Sequence, residues 1–264
     1  MSDSPGSGAA SPSRTITLGV SLKMYLGVDQ AAEWADAVAL IASTHDAVRS
    51  GAVRLFVLPS LPATVAVSAK LSDSAVAWGA QDLHWDDRGA VTGGTSGADL
   101  VELGCTLVEV GHAERRKIFG EDAGVTRRKF AAATRNGLTP VLCVGEREPM
   151  PAADAAAECI AQLESAFAGD RGSTEVIVAY EPEWAIGQPQ PAPPEHVRAV
   201  ADIVREHLAS TRGTAGETTL IYGGSAGIGT LSSLGDSVDG LFLGRFAHNP
   251  ADFARIIDDA AALT

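Results

Sequence analysis

The amino-acid sequence predicts a single α/β domain in which eight parallel strands, each followed by a helix, close into a (β/α)8 barrel. Short apolar, β-rich segments alternate with amphipathic helical segments throughout the chain after residue 14. About eight of these units occupy roughly 250 residues, which is the usual size of such a barrel. No linker rich in proline or glycine divides residues 15–264, so one domain is expected there.

The predicted strands are short apolar runs that end in polar or glycine residues. They span residues 15–23, 52–59, 75–83, 106–112, 138–146, 173–182, 217–225 and 238–247. Their apolar residues are nearly continuous rather than alternating. This pattern is typical of a parallel sheet that is buried on both faces.

The segments between the strands carry apolar residues at helical spacing and charged residues on the opposite face. The clearest examples are residues 29–44, 125–137, 153–169 and 194–211. An open, doubly wound sheet is the alternative arrangement, and it usually carries a G-x-G-x-x-G motif after its first strand. Here the first strand continues into "SLKMYLG", and "GGSAGIG" at 223–229 has a different glycine spacing, so the closed barrel is favoured.

The composition excludes polyanionic partners but not small anionic ligands. The 264 residues are 45% hydrophobic and 20% charged, and the formal net charge is −13. Nucleic acid and anionic membrane surfaces each require a basic face, so we expect neither as a partner. A small anionic substrate needs only a locally positive site.

The N-terminal segment and the cysteines indicate the compartment. Residues 1–14 are almost entirely Ser, Gly, Ala and Pro and are predicted to form a disordered tail. The chain has no apolar run long enough for a signal peptide or a membrane span. Cys105, Cys143 and Cys159 form neither a disulfide framework nor a metal-binding motif, so a cytoplasmic location is expected.

Chemically active residues collect at the carboxyl ends of the predicted strands, where barrel enzymes place their active sites. They are Lys23, Asp82, His112, Glu114, Glu146, Glu181, Gly223, Gly224, Ser225, Gly244 and Arg245. In a closed barrel these residues would face one common mouth. We therefore expect an active site there.

His112 begins the segment "HAERRK", directly after the fourth strand. The positive end of the following helix disfavours an imidazolium, so His112 is expected to stay neutral and donate a hydrogen bond, although a structural role is the alternative. Lys23 interrupts an apolar strand end and would either reach outward or stabilise negative charge on a substrate oxygen. Glu114 would hold that ammonium. Arg116 and Lys117 are expected to be solvated.

Two neighbouring strand ends predict an anion site. "YGGS" at 222–225 forms the end of the predicted seventh strand, and Gly244 with Arg245 lies near the end of the predicted eighth. Glycines let backbone N–H groups approach an anion closely, and the loops after these two strands commonly bind phosphate in barrels. Taken alone, each glycine-containing stretch is also compatible with a simple turn.

The stretch "YEPEWAIGQPQPAPP" at 180–194 places Glu181 at the end of the sixth strand, before a loop stiffened by prolines. An ordinary surface loop is one explanation. The other is a catalytic base followed by a lid, in which the prolines limit the entropy lost on closing.

The segments "SLKM", "VGHAERRKIFGE", "VLCVGE", "AYEPEWAIG" and "YGGS" resemble triosephosphate isomerases in their sequence, order and position at strand ends. The resemblance covers nearly the whole chain after the tail. It implies a TIM barrel that moves a proton between adjacent carbons through an enediolate, with a neutral histidine and a closing loop. It implies no metal and no organic cofactor, and "LHWDD" at 83–87 is interpreted as a loop face rather than a metal site.

The resemblance also implies roles for individual residues. Glu181 would be the base, His112 the electrophile, and Lys23, held by Glu114, the partner of the substrate oxygens. Residues 182–192 would form the lid. The residues expected to bind the substrate and its phosphate are Ser21, Gly187, Gly223, Gly224, Ser225, Gly244 and Arg245. The family is usually homodimeric through the loop after the third strand, which corresponds here to residues 84–97.

Several positions depart from the family pattern. Ser21 stands where the family has Asn, and Arg245 stands where it has the second glycine of a pair; Ala113 replaces a Ser, Asp82 replaces an Asn, and the lid tip reads "QPQ". The shorter Ser21 side chain makes room and Arg245 adds a donor, which indicates a longer phosphosugar.

These departures, with "HW" at 84–85, resemble the erythrulose-phosphate isomerase branch of the family. That resemblance implies conversion of L-erythrulose 1-phosphate to D-erythrulose 4-phosphate. The alternative is a triosephosphate isomerase that interconverts dihydroxyacetone phosphate and D-glyceraldehyde 3-phosphate. An aldolase that forms a Schiff base on Lys23 and a non-catalytic phosphosugar binder are the alternatives from other classes.

Overall fold

The computed structural model describes residues 14–170, 175–212 and 217–264. Its strands are β1 Ile16–Ser21, β2 Val53–Leu58, β3 Val76–Ala80, β4 Leu107–Val110, β5 Thr139–Val144, β6 Val176–Tyr180, β7 Thr218–Tyr222 and β8 Gly240–Leu243. Each strand pairs in parallel with the next one in the chain, and β8 pairs with β1 to close the barrel. The predicted (β/α)8 barrel is therefore confirmed.

At least one helix follows every strand. The helices are α1 Val28–Thr44, α2 Asp46–Arg49, α3 Thr64–Leu71, α4 Gly97–Glu102, α5 Ala113–Phe119, α6 Ala123–Arg135, α7 Ala152–Phe167, α8 Pro194–Arg212, α9 Thr230–Leu234 and α10 Pro250–Ala261. The four helices predicted from hydrophobic periodicity correspond to α1, α6, α7 and α8. Among the described residues, no helix combines the length and apolar character needed to cross a membrane.

The strands end before the polar residues that the sequence attaches to them. β1 ends two residues before Lys23, β4 ends two residues before His112, and Glu181 directly follows β6. Because the carboxyl ends of all strands lie at one rim of the barrel, these residues gather at the same mouth. Residues 173–174 of the predicted sixth strand lie outside the described residues.

Apolar side chains fill the barrel interior and support the mouth from below. The inward-facing cluster consists of Phe56, Leu58, Leu107, Val141, Cys143, Ile177, Ala179, Ile221 and Phe242. Gly19 leaves room for Phe56, because a Cβ at this position would lie 2.0 Å from the ring. Phe56 in turn stacks on Phe242, with ring centroids 5.9 Å apart. The interior is thus a packed core rather than a pore.

Most of the predicted N-terminal tail, residues 1–13, lies outside the described residues. Arg14, its last residue, is held in place, because its guanidinium donates a hydrogen bond to Asp236 Oδ1 at 2.7 Å and others to the carbonyls of Gly235 and Val238. The part of the chain fixed to the barrel therefore begins no later than Arg14. The three cysteines are buried and free.

Candidate active site

A cleft opens at the mouth of the barrel between the ends of β1, β4, β6, β7 and β8. Its polar and glycine lining consists of Ser21, Lys23, His112, Glu114, Glu181, Gly187, Gly224, Ser225, Gly244 and Arg245. The structure thus brings together all the residues that the sequence assigns to catalysis or substrate binding, with the single exception of Gly223.

The first turn of α5 fixes the ring of His112. The backbone N–H of Glu114 donates a hydrogen bond to His112 Nδ1 at 3.1 Å. Nδ1 must therefore be unprotonated, and the neutral ring carries its proton on Nε2. Within the described part of the chain, Nε2 is buried without a hydrogen-bond partner and lies 3.5 Å from Glu181 Oε2. The N–H of His112 is available to a ligand in the cleft.

The surroundings of His112 keep its ring neutral. Burial lowers the pKa of His112 to about 3, and the nearby charges of Lys23 and Arg116 act in the same direction. An imidazole with so low a pKa is a hydrogen-bond donor, not a cation, at physiological pH.

The pKa of Glu181 is shifted in the opposite direction to that of His112. Burial raises the pKa of Glu181 to about 7, although the charge of Lys23 lowers it. A carboxyl group with a pKa near the working pH is well suited to accept and return a proton. Space for this residue comes from two glycines: a Cβ on Gly223 would lie 2.5 Å from Glu181 Cγ, and a Cβ on Gly145 would lie 1.8 Å from its carbonyl oxygen.

Gly223 differs from the expectation that it binds phosphate. Its N–H donates to the carbonyl of Tyr180 at 2.9 Å, as a continuation of the β6–β7 pairing, and is not free for a ligand. Its missing side chain instead accommodates Glu181. The neighbouring Gly224 does line the cleft, and its φ of +89° is one that favours glycine.

Lys23 enters the cleft from the turn after β1. Its backbone has a φ of +48°, a left-handed conformation that is uncommon for a residue with a side chain. Lys23 Nζ lies 2.6 Å from Glu114 Oε1, as the sequence predicts. Burial by itself would lower the pKa of Lys23, but the charges of Glu181 and Glu114 outweigh it and raise the pKa. The ammonium therefore stays charged inside the cleft.

The predicted lid, residues 182–192, is anchored at both ends. Ala185 and Ala192 are buried, whereas residues 187–191 between them are exposed. Ser225 Oγ donates to the carbonyl of Ala185 at 3.0 Å, and the N–H of Ala192 donates to the hydroxyl of Tyr222 at 3.2 Å. Both anchors thus connect the segment to the end of β7.

Arg245 connects the middle of the same segment, at Gly187, to the end of β8. Its Nη2 donates to the carbonyl of Gly187 at 3.1 Å. Gly187 has a φ of +76° and, like Gly244, lines the cleft. A guanidinium has five N–H donors, so Arg245 can hold the segment and still donate to an anion.

The expectation that Glu146 faces the mouth of the barrel is wrong. Its fully buried carboxylate accepts hydrogen bonds from Trp184 Nε1 at 2.9 Å and from the Tyr180 hydroxyl at 3.3 Å, and lies 3.0 Å from His196 Nε2. Trp184 opens the lid segment and His196 lies in α8. Glu146 therefore secures the near end of the lid and does not line the cleft.

The expectation that Asp82 faces the mouth of the barrel is also wrong. It lies outside the cleft and forms ion pairs with Lys129 Nζ at 2.5 Å and Arg115 Nη2 at 2.8 Å. Arg116, expected to be solvated, is instead largely covered and donates to Gln162 Oε1 at 2.7 Å. The short helix α5 turns Arg116 toward α7.

Glu109 lies beside the cleft, next to His112 and Ser21, although no sequence motif pointed to it. Its side chain is 4% exposed; Ser21 Oγ donates to its Oε2 at 3.4 Å, and its Oε1 lies 3.9 Å from His112 Nε2. The available signal was an acid inside the apolar run "TLVEVGH". Because side chains alternate along a strand, Glu109 faces the barrel interior with Leu107, whereas Val108 packs in the layer under the helices.

The fold and the cleft define a TIM-barrel enzyme whose candidate active site lies at the mouth of the barrel. A family model described as triosephosphate isomerase matches residues 16–260. The chain is 49% identical over 255 residues to L-erythrulose-1-phosphate isomerase of Pectobacterium atrosepticum, covering 96% of this chain and 98% of that protein. It is 40% identical over 199 residues to a triosephosphate isomerase of a Synechococcus strain, covering 74% of this chain and 76% of the relative.

A solved structure agrees. The crystal structure of triosephosphate isomerase from Bartonella henselae matches with a TM-score of 0.80 and 26% identity, covering 92% of this chain and 98% of that one. The chain therefore belongs to the triosephosphate isomerase family and is an isomerase of that family. The family predicted from the sequence motifs is confirmed.

Proposed function

We propose that this enzyme isomerises L-erythrulose 1-phosphate to D-erythrulose 4-phosphate by proton transfer through an enediolate. The observation that carries the proposal is the convergence of Glu181, His112 and Lys23 on one cleft, with Glu181 Oε2 3.5 Å from His112 Nε2 and both atoms unpaired among the described residues. A base and a neutral donor in this arrangement can act on a carbon and on the oxygen bonded to it.

Glu181 starts the reaction by removing the proton from the hydroxyl-bearing carbon beside the carbonyl. The electrons of that C–H bond form the carbon–carbon double bond of the enediolate, while the carbonyl oxygen gains negative charge. His112 Nε2–H gives its proton to this oxygen, and Nε2 takes the proton of the neighbouring hydroxyl in its place, while the Lys23 ammonium stabilises the negative charge. Glu181 then returns its proton to the carbon that carried the carbonyl, and the neighbouring oxygen, now without its proton, becomes the new carbonyl.

Phosphate binding is the role proposed for the opposite end of the cleft. Gly224, Ser225 and Gly244 lie there at the ends of β7 and β8, and the backbone of Gly187 comes from the lid. Arg245 adds a cation that already contacts the lid at the Gly187 carbonyl. A phosphate held between these groups would draw the lid over the cleft and exclude water from the enediolate.

Two features support a four-carbon substrate. The first is 49% identity, across nearly the full length of both chains, to a protein named L-erythrulose-1-phosphate isomerase. The second is Ser21, whose short side chain lines the cleft beside Lys23 and leaves space there. Triosephosphate isomerisation is the second candidate, because the 40% identical relative carries that name and the same proton-transfer residues would perform it.

We expect Glu181→Gln to lower kcat on L-erythrulose 1-phosphate at least ~10²-fold, because the amide cannot accept the proton. The kcat/KM of the unmodified enzyme should fall below pH ~7, since Glu181 must be ionised to act and its pKa is raised to about 7. Steady-state rates across the pH range measure both effects. Glu195→Gln, at an exposed position of α8, is the matched control. A near-normal rate for Glu181→Gln would remove this residue from the mechanism.

The substrate assignment is tested by a panel of phosphosugars. We expect kcat/KM for L-erythrulose 1-phosphate to exceed that for dihydroxyacetone phosphate by at least ~10-fold, the scale on which a binding site distinguishes substrates that differ by one small group. Uptake of solvent deuterium into the substrate would separate isomerisation from mere binding. Turnover of dihydroxyacetone phosphate that is orders of magnitude faster would favour the triosephosphate reaction instead.

We also propose that the enzyme is a homodimer in which residues 84–97 of one protomer cover the mouth of the other. This loop is closed at its base by the hydrogen bond from His84 N–H to the Thr95 carbonyl at 2.6 Å, and its tip is exposed. Beside Lys23 lies an apolar patch whose most exposed members are Met24, Ile118 and Phe119, at 94%, 69% and 65%. Exposed apolar area of this kind marks an interaction site.

A cytoplasmic location fits the three free, buried cysteines.

Sedimentation equilibrium tests this assembly. Twice the chain mass of 27.1 kDa is the expected species. The double variant Ile118→Glu/Phe119→Glu should be monomeric, because it places charges in the proposed interface. Ile203→Glu, which charges a 38% exposed apolar position on α8, should remain dimeric. A monomeric unmodified protein at micromolar concentration would contradict the proposal.

A further inference from the structure

The two candidate substrates differ by one chemical group. L-Erythrulose 1-phosphate is dihydroxyacetone phosphate with one hydrogen of its reacting carbon replaced by a hydroxymethyl group. The phosphate, the carbonyl and the hydroxyl on the reacting carbon are common to both. An enzyme that acts on the four-carbon compound must therefore hold this additional group next to the carbon from which the proton is removed.

The position of that carbon restricts where the hydroxymethyl group can lie. The carbon must lie within reach of the Glu181 carboxyl, and its oxygen must lie near His112 Nε2, two groups that are 3.5 Å apart. Lys23 and Glu114 occupy the outer side, where they pair with each other at 2.6 Å. The inner side, between His112 and Ser21, is where Glu109 lies.

The contacts of Glu109 leave most of its hydrogen-bonding capacity unused. Ser21 Oγ donates to its Oε2 at 3.4 Å, Cys143 Sγ donates to its Oε1 at 3.9 Å, and His112 Nε2 lies 3.9 Å from the same Oε1. A carboxyl group has about four acceptor positions, so two long hydrogen bonds leave capacity for a further partner. A hydroxyl group of a ligand can bind there in addition to these contacts.

The protonation state of Glu109 suits a sugar hydroxyl. Burial raises the pKa of Glu109 well above its usual range, and the charge of Glu181 raises it further, against the opposing effect of Lys23. Burial therefore favours the uncharged carboxylic acid over the carboxylate. In that state it can donate one hydrogen bond and accept others, and it does not compete with Glu181 for the role of base.

There is also space beside Glu109. An open cavity of about 500 Å³ is lined by Glu109, and four of its other lining residues, Ser21, Lys23, His112 and Glu114, also line the catalytic cleft. The two spaces therefore meet at these side chains. The outer part of the cavity is lined by Met24, Ile118 and Phe119, the patch that the proposed partner loop covers, whereas Ser21 and His112 lie next to Glu109 and also line the cleft. A small substituent on a substrate in the cleft would point toward this inner side.

We infer that Glu109 binds the terminal hydroxymethyl group of a four-carbon substrate, and that with Ser21 it determines the preference for tetrulose over triose phosphates. This inference rests on the proposed function and names the residue that recognises the additional group. Ser21 provides the space, because a longer side chain there would occupy it, and Glu109 provides the hydrogen bond.

The experiment compares L-erythrulose 1-phosphate with its 4-deoxy analogue, which lacks only the terminal hydroxyl, in the unmodified enzyme and in Glu109→Val and Glu109→Gln. We expect loss of the hydroxyl to lower kcat/KM at least ~10-fold in the unmodified enzyme, the effect of leaving a buried polar group unpaired. In Glu109→Val the same change should matter less than ~3-fold. Glu109→Gln, which keeps a donor and an acceptor at this position, should restore most of the discrimination.

The negative results of this experiment can be distinguished from one another. No turnover of L-erythrulose 1-phosphate by the unmodified enzyme would overturn the proposed function and the inference with it. Equal kcat/KM for the hydroxyl and deoxy substrates in the unmodified enzyme would overturn the inference alone, without any variant having to fold. Unchanged discrimination in Glu109→Val would show that another residue recognises the hydroxyl, and an equal loss on both substrates would assign Glu109 a structural role.

Discussion

Burial of two ionisable side chains at the mouth of the barrel is the constraint on which the rest of the site depends. The loss of water raises the pKa of Glu181 to about 7 and lowers the pKa of His112 to about 3. The directions are opposite because burial disfavours the charged form, which is the deprotonated form of one group and the protonated form of the other. A single environment thus yields a carboxyl group that can accept a proton near neutral pH and an imidazole donor that carries no charge.

Backbone geometry maintains this environment. The N–H of Glu114 selects the tautomer of His112, and the absence of side chains at Gly145 and Gly223 lets Glu181 enter the mouth. Lys23 brings a positive charge among these acids, and its pairing with Glu114 balances part of that charge. These contacts occur where strands end, because only there does the backbone leave the sheet and free its groups for side chains.

The sequence was sufficient for the fold and for the position of the three ionisable side chains Lys23, His112 and Glu181 in the cleft. Eight apolar runs separated by amphipathic helices leave few arrangements other than a closed barrel, and Lys23, His112 and Glu181 each follow such a run directly. Asp82 and Glu146 follow apolar runs as well, but their partners come from distant segments: Lys129 in α6, and Trp184 with His196 near the lid. A strand-end position predicts the rim of the barrel; it does not predict which rim residues turn inward.

Glu109 and Gly223 are two further residues whose contacts the sequence did not predict. An acid within a strand faces either the barrel interior or the helices, and the pairing register, which local sequence does not specify, decides between them. The glycine after β7 has the composition of an anion site, yet the pairing between β6 and β7 continues through its N–H to Tyr180. The sequence pattern therefore predicted where these residues lie better than it predicted which of their hydrogen-bonding groups are already paired within the protein.

The opposite pKa shifts of His112 and Glu181 are central to the site, and nitrogen-15 NMR of the His112 ring tests the first of them directly. Spectra recorded from about pH 4 to about pH 8, with His112→Gln used for assignment, should show a neutral ring protonated on Nε2 at every pH, because its pKa is lowered from the usual value near 6.5 to about 3. A titration of this ring with a midpoint near pH 6.5, or a proton on Nδ1, would contradict the account.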